Sequence, residues 1–183
     1  IKIHPLVVLL ISIPWLTHCL AYNTCTSDKG AFLGTTALDL DLRESFIRKT
    51  EAPVGNMVSD ALLGYTRKAL GCGEMPTQVG AFPDLNETGT VGKVCPVIAL
   101  QNAGGIRQET ECGLRDNIPE GSLYEKDIED MLPFENEIWV IRLKGKDLRL
   151  LLERSVNSLG ILGIASEVGH FLQVAGLSFQ VDC

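Results

Sequence analysis

The feature that most constrains the fold is an apolar run, Val94–Leu100, which gives way to polar Asn102 and then to a glycine pair. Such a run predicts a buried strand. Gly104 and Gly105 lack a Cβ, so the backbone at the end of this strand can approach a ligand closely. Arg107 follows, and its guanidinium donates hydrogen bonds in a fixed plane. The pattern predicts a cradle for an anionic, planar ligand; the alternative is a tight turn with a surface arginine.

Three further segments strengthen this hypothesis. Gly55–Leu62 opens a helix, Leu132–Asn136 precedes a strand, and Phe171–Leu177 begins another strand. In order and spacing, the four segments resemble the C-terminal, substrate-binding domain of the 5'-nucleotidase and UDP-sugar hydrolase family. The resemblance runs from about Leu33 to Asp182. Four motifs in the right order are much more specific than any one of them.

The expected fold class is α+β, a mixed β-sheet with helices packed on it, like the C-terminal domain of that family. The 183 residues, 45% hydrophobic and 21% charged, suffice for one sizeable core. Apolar periodicity predicts helices over Val54–Gly71, Leu123–Met131 and Leu148–Asn157. It predicts further strands over Phe32–Leu42, Glu137–Leu143 with mostly buried faces, and Phe171–Val181. Residues 109–121 and 71–93 have loop-like composition.

The charge balance limits the class of partner. Sixteen Lys and Arg residues against 23 Asp and Glu residues give a formal net charge of −7. A broad nucleic-acid surface needs an excess of positive charge, so nucleic acid is not an expected partner. Any phosphate group must therefore be bound by individual arginines.

The amino-terminal residues have the pattern of a secretory signal peptide. Lys2 precedes an apolar run from Leu6 to Leu16, and Cys19-Leu20-Ala21 follows it. The run is too short for the roughly 20 apolar residues of a membrane-spanning helix. We therefore expect a leader over residues 1–21, a domain over residues 22–183, and a secreted protein, extracellular or periplasmic. Members of the family continue well past Asp182, so the domain is expected to be truncated at its C-terminal end.

The cysteines agree with export, because neither C-x-x-C nor a Cys/His zinc spacing occurs among the six of them. If Cys19 leaves with the leader, five remain, and one lacks a partner within the chain. Cys72 with Cys95 is the favoured disulfide, since it would join a helix end to the start of the next strand. Cys95 with Cys112 is the competing pair. Asn86-Glu87-Thr88 fits an N-glycosylation acceptor.

The resemblance implies roles for single residues. It places Phe134 on the nucleobase as a stacking surface, with Asn136 in the same pocket. It places Asn102 at the base or ribose edge, and Arg48 and Arg107 near ribose and phosphate. Without the resemblance, Phe134 is more simply explained as a core residue and Arg48 as a solvated surface charge. Glu135 departs from the family, because many relatives have glycine there.

The resemblance also implies that catalysis belongs elsewhere. Hydrolysis in this family uses two divalent metal ions, bound by Asp, His and Asn on an N-terminal metallophosphatase domain, and a histidine acid. The histidines here are His4, His18 and His170; two lie in the expected leader and the third stands alone. No metal or other cofactor is therefore expected in this chain.

The leading hypothesis follows from these observations. The chain is expected to be the nucleotide-recognition part of an exported 5'-nucleotidase-like phosphohydrolase, with a nucleotide or nucleoside as its ligand. The alternative is a free-standing secreted module that binds a nucleoside or a protein without hydrolysing anything.

Overall fold

The computed structural model describes residues 28–72, 95–110, 112–134, 136–157 and 168–181, together with the backbone of residues 6–9. The expected α+β class is confirmed. The helices are Glu44–Ile47 (α1), Pro53–Ala69 (α2), Glu125–Met131 (α3) and Gly145–Val156 (α4). The strands are Leu6–Leu9 (β1), Phe32–Thr36 (β2), Leu40–Asp41 (β3), Ile98–Asn102 (β4), Glu109–Thr110 (β5), Gly113–Leu114 (β6), Asn117–Ile118 (β7), Gly121–Tyr124 (β8), Trp139–Arg142 (β9) and Leu172–Ala175 (β10).

The largest sheet of the described residues is mixed and has the strand order β10–β4–β1–β9. Its strand β4 is buried from Ile98 to Gln101, as the apolar run predicts. Strand β10 pairs with β4 in antiparallel register, with Gln173 opposite Gln101. Strand β1 runs parallel to β4 and antiparallel to β9. Helix α2 packs against β4 and β10 and covers this part of the sheet. The polar residue Asn102 lies at the C-terminal end of β4.

Strand β1 lies inside the segment that the sequence predicts as a leader. Its backbone pairs Val7 with Ile98 on one side and with Ile141 on the other. The division of the chain at residue 21 stays a prediction. Among the described residues, no helix has the length and apolar character needed to cross a membrane.

Helix α2 begins at Pro53, one residue before the predicted start at Val54, and ends two residues before Gly71. Proline fits the first turn because its missing N–H would have no helical partner there. Helical spacing in the sequence predicts one apolar face with the members Val54, Met57, Val58, Ala61, Leu62, Tyr65 and Ala69. This face is correct for Val54 and Val58, which are buried, but wrong at Tyr65, which is 66% exposed. The helix instead buries Arg67, whose Nη1 donates a hydrogen bond to the Pro96 carbonyl at 2.7 Å. A charged side chain with a bonded head group thus takes a buried position that lies outside the predicted apolar face.

The main apolar core joins α2 to α1, α3 and the turn after β4. Its buried members are Leu40, Leu42, Ile47, Ala52, Val54, Val58, Ala103, Ile106, Ile118, Met131 and Phe171. Residues from the beginning, middle and end of the described chain therefore fix the segments that carry the candidate site.

Two predicted strands are shorter in the structure than in the prediction. The strand predicted over Phe32–Leu42 divides into β2 and β3, because the Thr36 hydroxyl bonds to the backbone of Leu38 and turns the chain. The strand predicted over Phe171–Val181 ends at Ala175. Gly176 has φ of +76°, and a Cβ there would collide with the carbonyl of Val97. Side-chain alternation alone does not detect such a backbone reversal.

The burial predicted for the strand over Glu137–Leu143 is wrong. Trp139 and Val140 of β9 are 50% and 40% exposed. Helix α4 packs its leucines against β4 rather than covering β9, so alternating apolar residues here remain open to solvent. The segment 109–121, predicted as a loop, contains the short strand pairs β5–β6 and part of β3–β7.

The favoured disulfide is confirmed. Cys72, just after α2, is bonded to Cys95, just before β4, with Cα atoms 5.8 Å apart. The competing pair of Cys95 with Cys112 is therefore wrong, although Cys112 is also disulfide-bonded. Asn86 lies outside the described residues.

Removal of the bond between Cys72 and Cys95 is expected to lower the free energy of unfolding by about 3 kcal/mol. The bond closes a segment with a sequence separation of 23 and restricts the unfolded chain by the corresponding loop entropy. The Cys72→Ser/Cys95→Ser double variant and the parent chain are compared by urea denaturation. Equal midpoints and slopes for the two proteins would contradict this expectation.

Candidate functional site

The turn after β4 is held by another part of the backbone. Ala103–Gly105 form one turn of 3-10 helix. The N–H of Ala103 donates to the Phe171 carbonyl at 2.7 Å, and the N–H of Gly104 donates to the Gly169 carbonyl at 2.9 Å. A Cβ on Gly104 would lie 2.9 Å from Gly169 Cα, which is too close for any other residue type. The glycine therefore permits a backbone crossing, a requirement of the fold that is separate from its predicted role beside a ligand.

The loop after α3 is tied to this turn through Arg107. The backbone N–H of Arg107 donates to the carbonyl of Met131, the last residue of α3, at 2.8 Å. Phe134 follows three residues later, and its carbonyl accepts a hydrogen bond from the N–H of Asn136 at 2.8 Å. The structure thus brings the motif that contains Arg107 close to the motif that contains Phe134 and Asn136, although the two are distant in the sequence.

Phe134 is 44% exposed, so the alternative of a core phenylalanine is wrong. An exposed aromatic ring offers a flat surface on which a base can stack. Asn136 and Asn102 are both half-buried. Asn102 ends β4 and directly precedes the 3-10 turn Ala103–Gly105, and Arg107 lies just after that turn. Glu135 lies outside the described residues.

Arg48 and Arg107 meet at one carboxylate. Glu44 Oε1 is 2.7 Å from Arg48 Nη2 and 3.2 Å from Arg107 Nη1. A second carboxylate, Glu109, lies 2.9 Å from Arg107 Nη2 through its Oε2. The side chains of Arg48, Glu44 and Arg107 are 16%, 22% and 23% exposed, so the alternative of a solvated surface charge for Arg48 is wrong. The result is a partly enclosed network in which two guanidinium groups face two carboxylates.

Arg48 is positioned by a buried amide from β10. Gln173 is 1% exposed, and its Nε2 donates to the carbonyls of Ile47 and Thr50, each at 2.8 Å. Its Oε1 accepts from the N–H of Ala52 at 3.1 Å. These bonds satisfy the backbone polar groups between α1 and α2, which would otherwise be buried without partners. Gln173 thus fixes the segment that carries Arg48.

The junction before α1 has a titratable pair. The side chain of Asp41 accepts hydrogen bonds from Arg43, and these hold the pKa of Asp41 below its ordinary value of 3.8 despite partial burial. The same contact raises the pKa of Arg43. A lowered acid pKa stabilises the folded chain at pH values above the unfolded pKa, and this stabilisation is lost as the pH falls through the folded value.

We expect the Arg43→Ala variant to return the pKa of Asp41 towards 3.8, because the hydrogen bonds that favour the carboxylate are removed. The measurement is an NMR titration of the Asp41 carboxyl carbon from pH 6 to pH 2. The exposed pair should contribute little to stability, so the two proteins should have similar melting temperatures at pH 7. An unchanged titration midpoint would refute the assignment.

A cavity of about 530 Å³ lies elsewhere, along β10 and the residues after it. Its walls include Lys49, Asn56, Val174, Leu177 and Phe179. Arg48, Arg107 and Phe134 do not line it. In the part of the chain that the structure describes, no three His, Cys, Asp or Glu side chains are grouped as metal ligands would be.

Comparison with known proteins decides the family. Residues 31–183 match the family described as 5'-nucleotidase, C-terminal domain. The chain belongs to the 5'-nucleotidase C-terminal domain family.

Two proteins and one solved structure illustrate the relationship. The chain is 25% identical over 157 residues to the trifunctional nucleotide phosphoesterase protein YfkN of Bacillus subtilis (strain 168), covering 86% of this chain and 8% of that protein. It is 27% identical over 150 residues to 5'-nucleotidase of Bos taurus, covering 82% and 21%. The crystal structure of a 5'-nucleotidase precursor from Thermus thermophilus is similar with a TM-score of 0.52 and 28% identity, covering 79% and 21%. The chain therefore spans about a fifth or less of each of these relatives.

This member of the 5'-nucleotidase C-terminal domain family brings Arg48 and Arg107 together and ties Arg107 to the loop of Phe134. Glu44, the residue that joins the two arginines, was not predicted from the sequence. Its position four residues before Arg48 is the spacing of a helical ion pair, and this signal was present in the sequence. The structural role of Gln173 was not predicted either. The one signal for it in the sequence was its place within a predicted strand, which indicated that its side chain could be buried.

Proposed function

We propose that this chain is the nucleotide-recognition part of an exported 5'-nucleotidase-like phosphohydrolase. The complete protein would hydrolyse nucleoside 5'-phosphates to nucleoside and phosphate in nucleotide catabolism. Family membership supports a nucleotide ligand, and the spacing of the amino-terminal residues supports export. The ligand residues of the proposal are Arg48, Asn102, Gly104, Gly105, Arg107, Phe134 and Asn136.

One observation carries the proposal: Arg107 is hydrogen-bonded through its backbone to the last residue of α3, three residues before the exposed Phe134. A nucleoside needs a flat apolar contact for its base and polar donors for its sugar. Base stacking on an aromatic side chain contributes roughly 1–3 kcal/mol. Arginine suits the sugar side because its donors are always charged and lie in a plane.

The chemistry of hydrolysis would come from an N-terminal metallophosphatase domain with two divalent metal ions. Two such ions can activate water and stabilise the oxygens of the phosphate during displacement. In this proposal the present chain binds and orients the nucleoside part, and the ions act on the phosphate. The contribution of this chain is then positioning, which lowers the entropic cost of bringing the phosphate to the metals.

Titration calorimetry of the 183-residue chain with adenosine and with AMP tests the binding part of the proposal. We expect saturable binding of adenosine at 1:1 stoichiometry. A chain that melts cooperatively and yet gives no saturable heat with either ligand would contradict the proposal.

A second assay tests the assignment of catalysis. The chain is incubated with AMP and millimolar Mg²⁺ or Mn²⁺, and the release of phosphate is measured. We expect release at the rate of the buffer control. Release that scales with the concentration of this chain would contradict the assignment of hydrolysis to another domain.

A further inference from the structure

We infer that Glu44 makes this site select the uncharged nucleoside moiety and exclude phosphate from the two arginines. Its carboxylate occupies the position between Arg48 and Arg107 where an anionic ligand would otherwise bind. The inference rests on the proposed nucleoside site and names the part of the ligand that the site contacts. Glu44 is thus a specificity-determining residue.

The geometry shows how far the arginine donors are already engaged. Glu44 Oε1 contacts Arg107 Nη1 at 3.2 Å, and Glu109 Oε2 contacts Arg107 Nη2 at 2.9 Å. Both terminal nitrogens of Arg107 therefore face a carboxylate. Arg48 Nη2 is 2.7 Å from the same Glu44 oxygen. A phosphate group that approaches the terminal nitrogens of Arg107, or Nη2 of Arg48, therefore competes with these carboxylates for the guanidinium donors.

The charges lead to the same conclusion. Two guanidinium groups and two carboxylates sum to zero, so the network presents no net positive charge to an incoming phosphate. Glu44 is only 22% exposed, and solvent screens it less than a surface group. A phosphate held by the arginines would lie close to this carboxylate, and like charges at short range repel. A ribose hydroxyl adds no charge and avoids this repulsion.

A buried donor of the network is available to a neutral ligand. Arg48 Nε is buried and has no hydrogen-bond partner among the residues that the structure describes. Buried donors are nearly always paired, and an unpaired one costs free energy that a ligand oxygen can recover after a small movement of the side chain. The contacts of Glu44 Oε1 are ion pairs without well-aligned hydrogen bonds, so the network can adjust. A hydroxyl group matches this environment better than a doubly charged phosphate.

Exclusion of phosphate from the arginines also suits the proposed complete protein. A recognition site that bound the phosphate tightly would compete with the metal ions for the reacting group. With phosphate excluded by Glu44, that group stays free to reach the catalytic domain.

The Glu44→Gln variant tests the inference with inorganic phosphate, adenosine and AMP as titrants in calorimetry. The substitution keeps the size of the side chain and removes its charge. We expect phosphate affinity to rise at least tenfold, and the ratio of AMP to adenosine affinity to rise by a similar factor. Glu153→Gln is the matched control, since it removes an exposed carboxylate of the same type that pairs with Arg149 on α4. The control should change neither quantity by more than about twofold, in line with the small effects of screened surface charges.

Glu109→Gln provides a second variant if Glu44→Gln does not fold. Glu109 is 68% exposed and pairs with Arg107, and within the described part of the chain it does not contact Arg48. Removal of its charge is therefore expected to raise phosphate affinity about threefold without disturbing Arg48. Unchanged phosphate affinity in a folded Glu44→Gln, or in Glu109→Gln if the first variant is unfolded, would overturn the inference. The phosphate titration needs no nucleoside. Absence of adenosine binding with a gain in phosphate binding would refute the proposed function and support the role of Glu44.

Discussion

Gln173→Met is expected to lower the free energy of unfolding by about 4 kcal/mol, the largest stability effect of the single substitutions proposed. Methionine has a similar volume but no hydrogen-bonding amide. The variant leaves the carbonyls of Ile47 and Thr50 and the N–H of Ala52 without the partner they have in the parent chain. Each buried polar group that loses its partner costs about 1–3 kcal/mol.

The matched control is Gln101→Met, the residue opposite Gln173 on β4. Gln101 is also buried, at 4% exposure, but its Nε2 donates one hydrogen bond, to the Asn102 carbonyl at 3.0 Å. We expect this variant to lose about 1 kcal/mol, the typical net value of one hydrogen bond. Both are measured by urea denaturation. Equal losses for the two variants would show that burial, and not the bonds to the segment carrying Arg48, determines the effect.

Phe134→Ala is expected to weaken adenosine binding by roughly 10- to 100-fold, the largest effect on ligand affinity. The estimate follows from a stacking contribution of roughly 1–3 kcal/mol per base. Phe134 is 44% exposed and makes a small contribution to the core, so the melting temperature should change little. Titration calorimetry with adenosine measures the affinity of each protein.

Phe32→Ala is the control for this experiment. Phe32 is also an exposed aromatic residue, but it packs edge-on against Tyr124, with ring centroids 5.9 Å apart, on the β2–β8 pair. Its removal should leave adenosine affinity within twofold of the parent. Equal affinity of Phe134→Ala and the parent chain would exclude stacking on Phe134.

Much of the framework was predictable because its signals are local. The apolar run before Asn102 identified β4, and the helical spacing of apolar residues from Val54 onward identified α2. Gly176 shows the limit: its positive φ ends β10 where the alternation of apolar residues continues. Trp139 shows another, because its exposure depends on where α4 packs and not on the pattern of β9 itself.

The site was predictable only in part. The family resemblance gave the residues Arg48, Arg107 and Phe134, and the backbone bond from Arg107 to the last residue of α3 explains why Arg107 and the loop of Phe134 lie in joined segments. The role of Glu44 depends on its contact with Arg107, which is distant in the chain and which periodicity does not encode. The cost of burying backbone groups explains Gln173, but its partners follow from the packing of β10 against the α1–α2 segment.

Amide NMR of the ¹⁵N-labelled chain during titration with adenosine tests most directly whether the turn after β4 and the loop after α3 form one nucleoside site. We expect saturable shift changes at the amides of Gly105, Arg107, Phe134 and Asn136, with one common dissociation constant. Changes confined to Val174, Leu177 and the other walls of the cavity beside β10, or no change at millimolar adenosine, would contradict a nucleoside site at these two loops.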